Sequence, residues 1–221
     1  MREMDKGVGE LMALLQRLKI DDNTFVMFFS DNGATGPGSC GDLYGMKGTL
    51  WEGGHRVPGI ARWPGQIAAG TETSQLASTI DVMPTILDLV NADHQPERPL
   101  DGMSLVKVLT QQEKYSNRTM FWQYGAAASM RQGRWKLIVN GGKRLKQKNT
   151  PNINWDRPED HRETVALFDL GVDPGEHVNL ANKHPDRVRE MQRELDAWKV
   201  DVTANATRQP DLSSSSALDR K

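Results

Sequence analysis

Cysteine is almost absent from this chain: Cys40 is the single one in 221 residues. No disulfide can close within the chain, and no cluster of thiolates can bind a metal. Long apolar runs are missing as well, and nothing approaches the roughly 20 consecutive apolar residues that span a bilayer. Neither sign of charge dominates, since 28 basic and 29 acidic residues leave a formal net charge of -1. That balance excludes a general nucleic-acid binder and a protein held electrostatically on a membrane. The opening MREMDKGVGELMALL is broken by acidic residues and glycines, so it does not read as a signal peptide. It carries no recognisable helix cap, and we expect the chain to begin inside a structural element.

What is present reads as alternating helix and strand, followed by a run of strands. Met4, Val8, Leu11, Met12, Leu15 and Leu18 recur at helical spacing and predict an amphipathic helix. After the polar turn Asp21-Asp22-Asn23, residues 24–29 are nearly all apolar, as in a strand buried on both faces of a parallel sheet. Residues 33–59 hold nine glycines and predict one long loop. A short strand over 59–63 follows, then a helix over 78–90 with Asp81 as N-cap and Pro84 in its first turn. Residues 101–110 predict a short helix. Strands are expected at 119–124, 128–131, 134–139 and 166–170, with a turn at Gln132-Gly133. Residues 141–161 read as a basic, polar loop, Asp173-Pro174-Gly175-Glu176 as a turn, and 185–200 as a helix presenting Val188, Met191, Leu195 and Trp198. The closing RQPDLSSSSALDRK has the composition of a disordered tail.

Few residues stand where chemistry would need them. In open α/β sheets ligands bind beyond the carboxyl ends of strands, and Asp31-Asn32 falls at such an end. An aspartate and an asparagine there supply two oxygens of the kind a hard cation takes, or they simply form a turn with Gly33. Lys47, set among Gly45, Gly48 and Gly53-Gly54, is either an anion-binding ammonium or a solvated surface lysine. Cys40 lacks neighbours that would stabilise a thiolate and reads as an ordinary loop cysteine. His55 has no second histidine close in sequence, and its role is read as structural. His94, His161, His177 and His184 sit in polar segments and are assigned none.

Taken in order, Ser30-Asp31-Asn32-Gly33, Gly45-Met46-Lys47-Gly48-Thr49 and Trp51-Glu52-Gly53-Gly54-His55-Arg56-Val57-Pro58 closely resemble the sulfatase family. The likeness extends to the opening helix, to Ser78-Thr79-Ile80-Asp81-Val82-Met83-Pro84-Thr85, and to Asp101-Gly102-Met103-Ser104-Leu105. It continues through Arg134-Trp135-Lys136-Leu137-Ile138 and Leu167-Phe168-Asp169-Leu170 up to the Asp173–Glu176 turn, and so covers most of residues 1–200. The resemblance implies that Asp31 and Asn32 are two oxygen ligands of a calcium ion. It implies that Lys47 binds the sulfate group and stabilises its negative charge during hydrolysis. Glu52, Gly53, Gly54 and Arg56 would shape the loop that holds Lys47, with Arg56 ion-paired inside the site.

The family's formylglycine nucleophile is made from a Cys-x-Pro-Ser-Arg motif, and Cys40-Gly41-Asp42-Leu43 does not fit it. The family's two other aspartate ligands, and the histidines and lysines around the nucleophile, also lack counterparts. The resemblance is therefore to the C-terminal half of a sulfatase, and the formylglycine is expected in an N-terminal part. The fold implied is α/β: residues 1–112 as part of an alkaline-phosphatase-like, mostly parallel sheet domain, and 117–200 as a small antiparallel sheet with a C-terminal helix. Residues 201–221 would be a tail. The function implied is calcium-dependent hydrolysis of a sulfate monoester on a sulfated small molecule or carbohydrate, with the 221 residues inactive alone. Completion by an N-terminal half is expected, and a periplasmic or secreted setting would suit the full-length family member. The alternatives are a non-catalytic remnant or interaction module, and a related phosphoester or phosphonate hydrolase. A sheet lacking its other strands would expose apolar surface, so aggregation is expected.

Overall fold

A computed structural model describes residues 2–92, 100–116, 118–141 and 164–204. The first helix, α1 (Arg2–Arg17), runs through a 3₁₀ turn at Asp21–Asn23 into β1 (Val26–Phe29). A glycine-rich stretch containing a single helical turn, α2 (Glu52–His55), leads to β2 (Gly59–Arg62). Two helices follow, α3 (Val82–Leu89) and α4 (Val106–Gln111). Four strands, β3 (Thr119–Tyr124), β4 (Ala127–Gln132), β5 (Trp135–Val139) and β6 (Val165–Asp169), precede the closing helix α5 (Pro185–Ala204). No helix among the described residues is long and apolar enough to cross a membrane.

The two sheets differ from expectation in direction. β1 pairs with β2 antiparallel, Val26 opposite Arg62 and Phe29 opposite Gly59. Every strand pairing among the described residues is antiparallel, so the mostly parallel sheet is not formed by these residues. β1 is also only half-buried along its length, where its apolar run led us to expect burial on both faces. The reason lies in its surroundings: α1 buries none of its residues, and Met4, Val8, Leu11 and Leu18 of its apolar stripe are exposed. Arg62 of β2 forks onto the Asp21 carboxylate at 2.7 and 2.9 Å, fixing the pair against the end of α1.

Asp81 stands at the N-cap of the α-helix, as expected, but its side chain makes no capping bond to that helix. Ser78 is the N-cap of a 3₁₀ turn, Thr79–Asp81, in a capping box with Asp81, and the α-helix starts only at Val82. The buried Asp81 carboxylate is occupied elsewhere: it accepts the Met103 N–H at 3.0 Å and receives both ends of the Arg118 guanidinium. Residues 101–105 lie outside the short helix, which begins only at Val106, and are stitched to α3, Leu105 N–H donating to Thr85 Oγ1 at 3.0 Å. A side chain on Gly102 would strike the Ile80 carbonyl, which explains the glycine in that motif.

β3–β4–β5–β6 form one antiparallel meander, and both of its faces are covered. Ala128, Met130, Leu137, Val139 and Leu167 point to α5, whose Met191 and Leu195 are fully buried against them. Val188 and Trp198 flank that contact, as the helical spacing predicts. Alternate residues Ala127, Ile138, Ala166 and Phe168 point the other way, onto Tyr44, Leu50 and Trp51 of the glycine-rich stretch. The expected 141–161 loop lies outside the described residues apart from Gly141, and so does the expected 201–221 tail from 205 onward, while 201–204 continue α5 instead of starting the tail.

Candidate functional site

The glycine-rich stretch is a folded loop with an anchor at each end. Trp51 sits almost fully buried, edge-on to Tyr44 at 4.9 Å and to Phe168 of β6 at 5.6 Å between ring centroids. Immediately after it, Glu52, Gly53 and Gly54 wind into the buried turn α2. Gly53 N–H donates to Tyr44 O at 2.8 Å, and Gly54 O accepts the Gly33 N–H at 2.9 Å. A Cβ on Gly33 would collide with the Gly53 carbonyl, and one on Gly54 with the Thr49 carbonyl. The glycine of the Asp-Asn-Gly triplet is thus required for close backbone approach, and the triplet is more than a polar turn.

These contacts bring the sequence-selected residues together. The Lys47 N–H donates to Ala34 O at 3.1 Å, and Gly33, one residue earlier, is bonded to Gly54. Lys47 therefore lies alongside the strand end that carries Asp31 and Asn32. Its side chain is exposed, and among the described residues no ion pair holds it. The Asn32 amide nitrogen donates to the Asp31 carboxylate, which leaves the amide oxygen of Asn32 uninvolved in that bond. These two donors suit calcium in kind but fill a minority of a shell of six or more oxygens. No group of three or more His, Cys, Asp or Glu that could hold a metal occurs among the described residues. Cys40 donates to the Gly53 carbonyl at 3.0 Å, the structural loop role expected of it.

Behind the loop lies a buried ionic cluster that sequence reasoning missed. Glu52, Lys136 of β5 and Glu176 have no exposed surface. Lys136 Nζ stands 2.8 Å from Glu52 Oε1, 2.8 Å from Glu176 Oε1 and 3.2 Å from His55 Nε2. Two carboxyl oxygens face this ammonium, and His55 Nε2, also 3.1 Å from the Leu50 carbonyl, can accept from Lys136 only where it does not donate to that carbonyl. Glu176 also accepts the backbone N–H of Glu52 at 2.7 Å. Arg131 of β4 and the half-exposed Arg56 complete the surroundings of Glu52 at 3.4 and 3.5 Å. Arg56 is ion-paired as the resemblance implied, from the rim of the cluster.

The charges are sorted by this geometry. Burial opposes ionisation of Glu52, but Lys136, His55 and Arg131 outweigh it and bring the carboxyl down to about 2. Glu176 lacks that surplus of cations, and complete burial beside ionised Glu52 pushes it up to about 7. His55 is pushed down to about 3, first by burial and then by the Lys136 ammonium. Its neutral ring stacks, tilted, on Trp122 at 4.6 Å.

The signal for this cluster was available in the sequence. Lys136 is a lone charge inside the apolar strand WKLIV, Glu52 directly precedes the Gly53-Gly54 pair, and Glu176 closes Asp173-Pro174-Gly175-Glu176. A shallow concavity lined by Val165, Ala181, Pro185 and Val188 lies on the opposite, α5-facing side of the sheet.

The fold places the chain among the sulfatase-type, alkaline-phosphatase-like structures. A Bacteroides thetaiotaomicron protein from a genetic locus for metabolism of multiple glycosaminoglycans superposes with a TM-score of 0.71 at 27% identity. That match covers 89% of this chain and 43% of the other. A complex of Ps i-CgsB with k-i-k-neocarrahexaose gives a TM-score of 0.73 at 25% identity, covering 89% and 41%. In sequence, the Sulfatase family profile matches residues 1–92. Mouse N-acetylgalactosamine-6-sulfatase is 34% identical over 197 residues, 81% of this chain and 38% of its own length. The chain is thus similar to sulfatases, and it spans about two fifths of the length of the relatives it matches.

Proposed function

We propose that these residues form one wall of the active site of a sulfuric ester hydrolase acting on a sulfate monoester. The observation that carries this reading is the stitching of the Lys47 loop to the Asp31–Asn32 strand end through Gly33, Ala34 and Gly54, in a sulfatase-like chain. Residues 1–112 would belong to the α/β domain of that enzyme, and 117–200 would be the small sheet that backs its loop. Lys47 places a fixed positive charge at the surface of the wall, where it would bind the sulfate oxygens and offset charge developing on them. The backbone amides of the loop orient it, and the bulky Trp51 anchor keeps the loop from swinging away.

Asp31 and Asn32 would hold a calcium ion together with oxygens from outside the described residues. That ion, when bound, supplies further neutralisation of the sulfate. The nucleophile, a formylglycine in this family, has no precursor motif among the 221 residues. The carrahexaose complex of the structural relative supports a sulfated carbohydrate as the substrate class.

The test is hydrolysis together with calcium titration. The purified chain is expected to leave an aryl sulfate uncleaved, and to bind calcium tightly only when a formylglycine-bearing sulfatase segment is added. Turnover by the chain alone, with contaminating activity excluded, contradicts the reading. Calcium binding that is unchanged by the added segment favours instead a non-catalytic remnant that retains the fold.

A further inference from the structure

We propose that Lys136 is a positioning residue for the Lys47 loop, gripping Glu52 from the small sheet and through it holding Lys47 beside the Asp31–Asn32 strand end. The claim that Lys47 receives sulfate rests on the function proposed above; the claim that Lys136 sets the loop's position does not.

The small sheet gives Lys136 a rigid base. β5 is an interior strand, paired with β4 on one side and β6 on the other, Lys136 opposite Arg131 and Phe168. Its neighbour Leu137 is buried in the α5 face, so strand alternation drives the lysine into the loop face. There it meets polar groups from two separate segments: Glu52 and His55 of α2, and Glu176 of the turn after β6. Glu176 in turn holds the backbone of Glu52, so the side chain and main chain of one residue are both fixed. Glu176 reaches this position with φ near 57°, a left-handed conformation uncommon outside glycine.

From Glu52 the constraint passes along the chain. Gly53 and Gly54 follow directly, and their backbones bond to Tyr44 and Gly33. Ala34, next to Gly33, accepts the amide of Lys47. An apolar side chain could fill the volume of Lys136 without the desolvation cost of a buried charge. What the ammonium adds is direction, because its N–H groups tie the carboxyl groups of Glu52 and Glu176 into one arrangement. On this account the four-stranded sheet is part of the machinery that places the anion-binding lysine.

The experiment is amide hydrogen exchange on the full chain and on Lys136→Met, followed residue by residue. The expected result is exchange at least about tenfold faster at Glu52, Gly53, Gly54 and Gly33, with Met130 and Leu167 of the sheet held within about threefold of the parent. A sulfate titration of the same samples is expected to show a weaker response at Lys47 in the variant. Exchange that rises equally in loop and sheet, or changes in neither, overturns the proposal. Should Lys136→Met fail to fold, the double variant K136M/E176Q, with Arg131 and Arg56 still facing Glu52, carries the same comparison. Exchange requires no anion, so a parent chain that ignores sulfate defeats the proposed function while the positioning claim is judged separately.

Discussion

Two lysines in this chain have opposite circumstances, and substitutions at each are expected to behave oppositely. Lys47 is exposed on the loop and carries none of the buried structure. Lys47→Ala is expected to change stability by no more than about 0.5 kcal/mol in a urea titration. Lys136 is wholly buried between the carboxyl groups of Glu52 and Glu176, and its removal takes the nearest cation from ionised Glu52. Lys136→Met is expected to cost about 3–5 kcal/mol in the same titration. A larger loss for Lys47→Ala than for Lys136→Met would reverse the assignment.

The cluster also fixes how stability depends on pH. His55 stays neutral in the folded state down to about 3 against an ordinary 6.5, so its contribution is full above 6.5 and is lost as pH falls toward 3. Glu176 keeps its proton up to about 7 against an ordinary 4.5, so its contribution is full below 4.5 and is lost as pH rises toward 7. Between 4.5 and 6.5 the two slopes oppose each other. Below 4.5 Glu52, depressed to about 2, joins His55 in losing stability. Urea midpoints are expected to be nearly level from about pH 4.5 to 6.5 and to fall below that. Glu176→Gln removes the opposing slope, so its midpoints should climb with pH across the same window; a variant curve of unchanged shape would refute the assignment of that proton.

At the scale of elements, the parts that periodicity governs were legible in the sequence. The meander strands and α5 follow from alternation and from the Val188, Met191, Leu195, Trp198 stripe, because local pattern and tertiary burial agree there. Where long-range partners decide, the sequence misled. Asp81 does stand at the N-cap, yet its carboxylate serves Arg118, 37 residues away, and Met103 rather than the helix it precedes. Nine glycines signalled a loop, but α2 exists because Glu52 is gripped from β5 and the Glu176 turn. The site residues Asp31, Asn32 and Lys47 were found through ordered motifs; Lys136 and Glu176 escaped because nothing in one dimension brings them to Glu52.

The glycines of this loop give an element-scale test. Gly54→Ala places a methyl against the Thr49 and Met46 carbonyls and is expected to cost about 1–3 kcal/mol. Gly59→Ala meets open space and is expected to stay within about 0.5 kcal/mol. Denaturant midpoints for the two variants check the contrast, which would vanish if the loop were loosely packed.

For the molecule as a whole, the small sheet is covered on both faces while the opposite end of the chain is not. Met4, Val8, Leu11 and Leu18 on α1, Ile60 on β2, and Met83, Ile86 and Val90 on or beside α3 are exposed. Isolated, the chain is expected to self-associate at micromolar concentration, as sedimentation would reveal. A monodisperse monomer with one sharp unfolding transition would show that these surfaces need no cover.

The central claim is that the glycine-rich loop of this sulfatase-like chain presents Lys47 to a sulfate group. The direct measurement is a residue-resolved NMR titration of the ¹⁵N-labelled chain with sodium sulfate, ionic strength being held constant with sodium chloride. The account predicts saturable shifts centred on Lys47, Gly48 and Gly54 that disappear in Lys47→Ala. Unsaturable shifts scattered over the basic surface, or the same saturable shifts in Lys47→Ala, would contradict it.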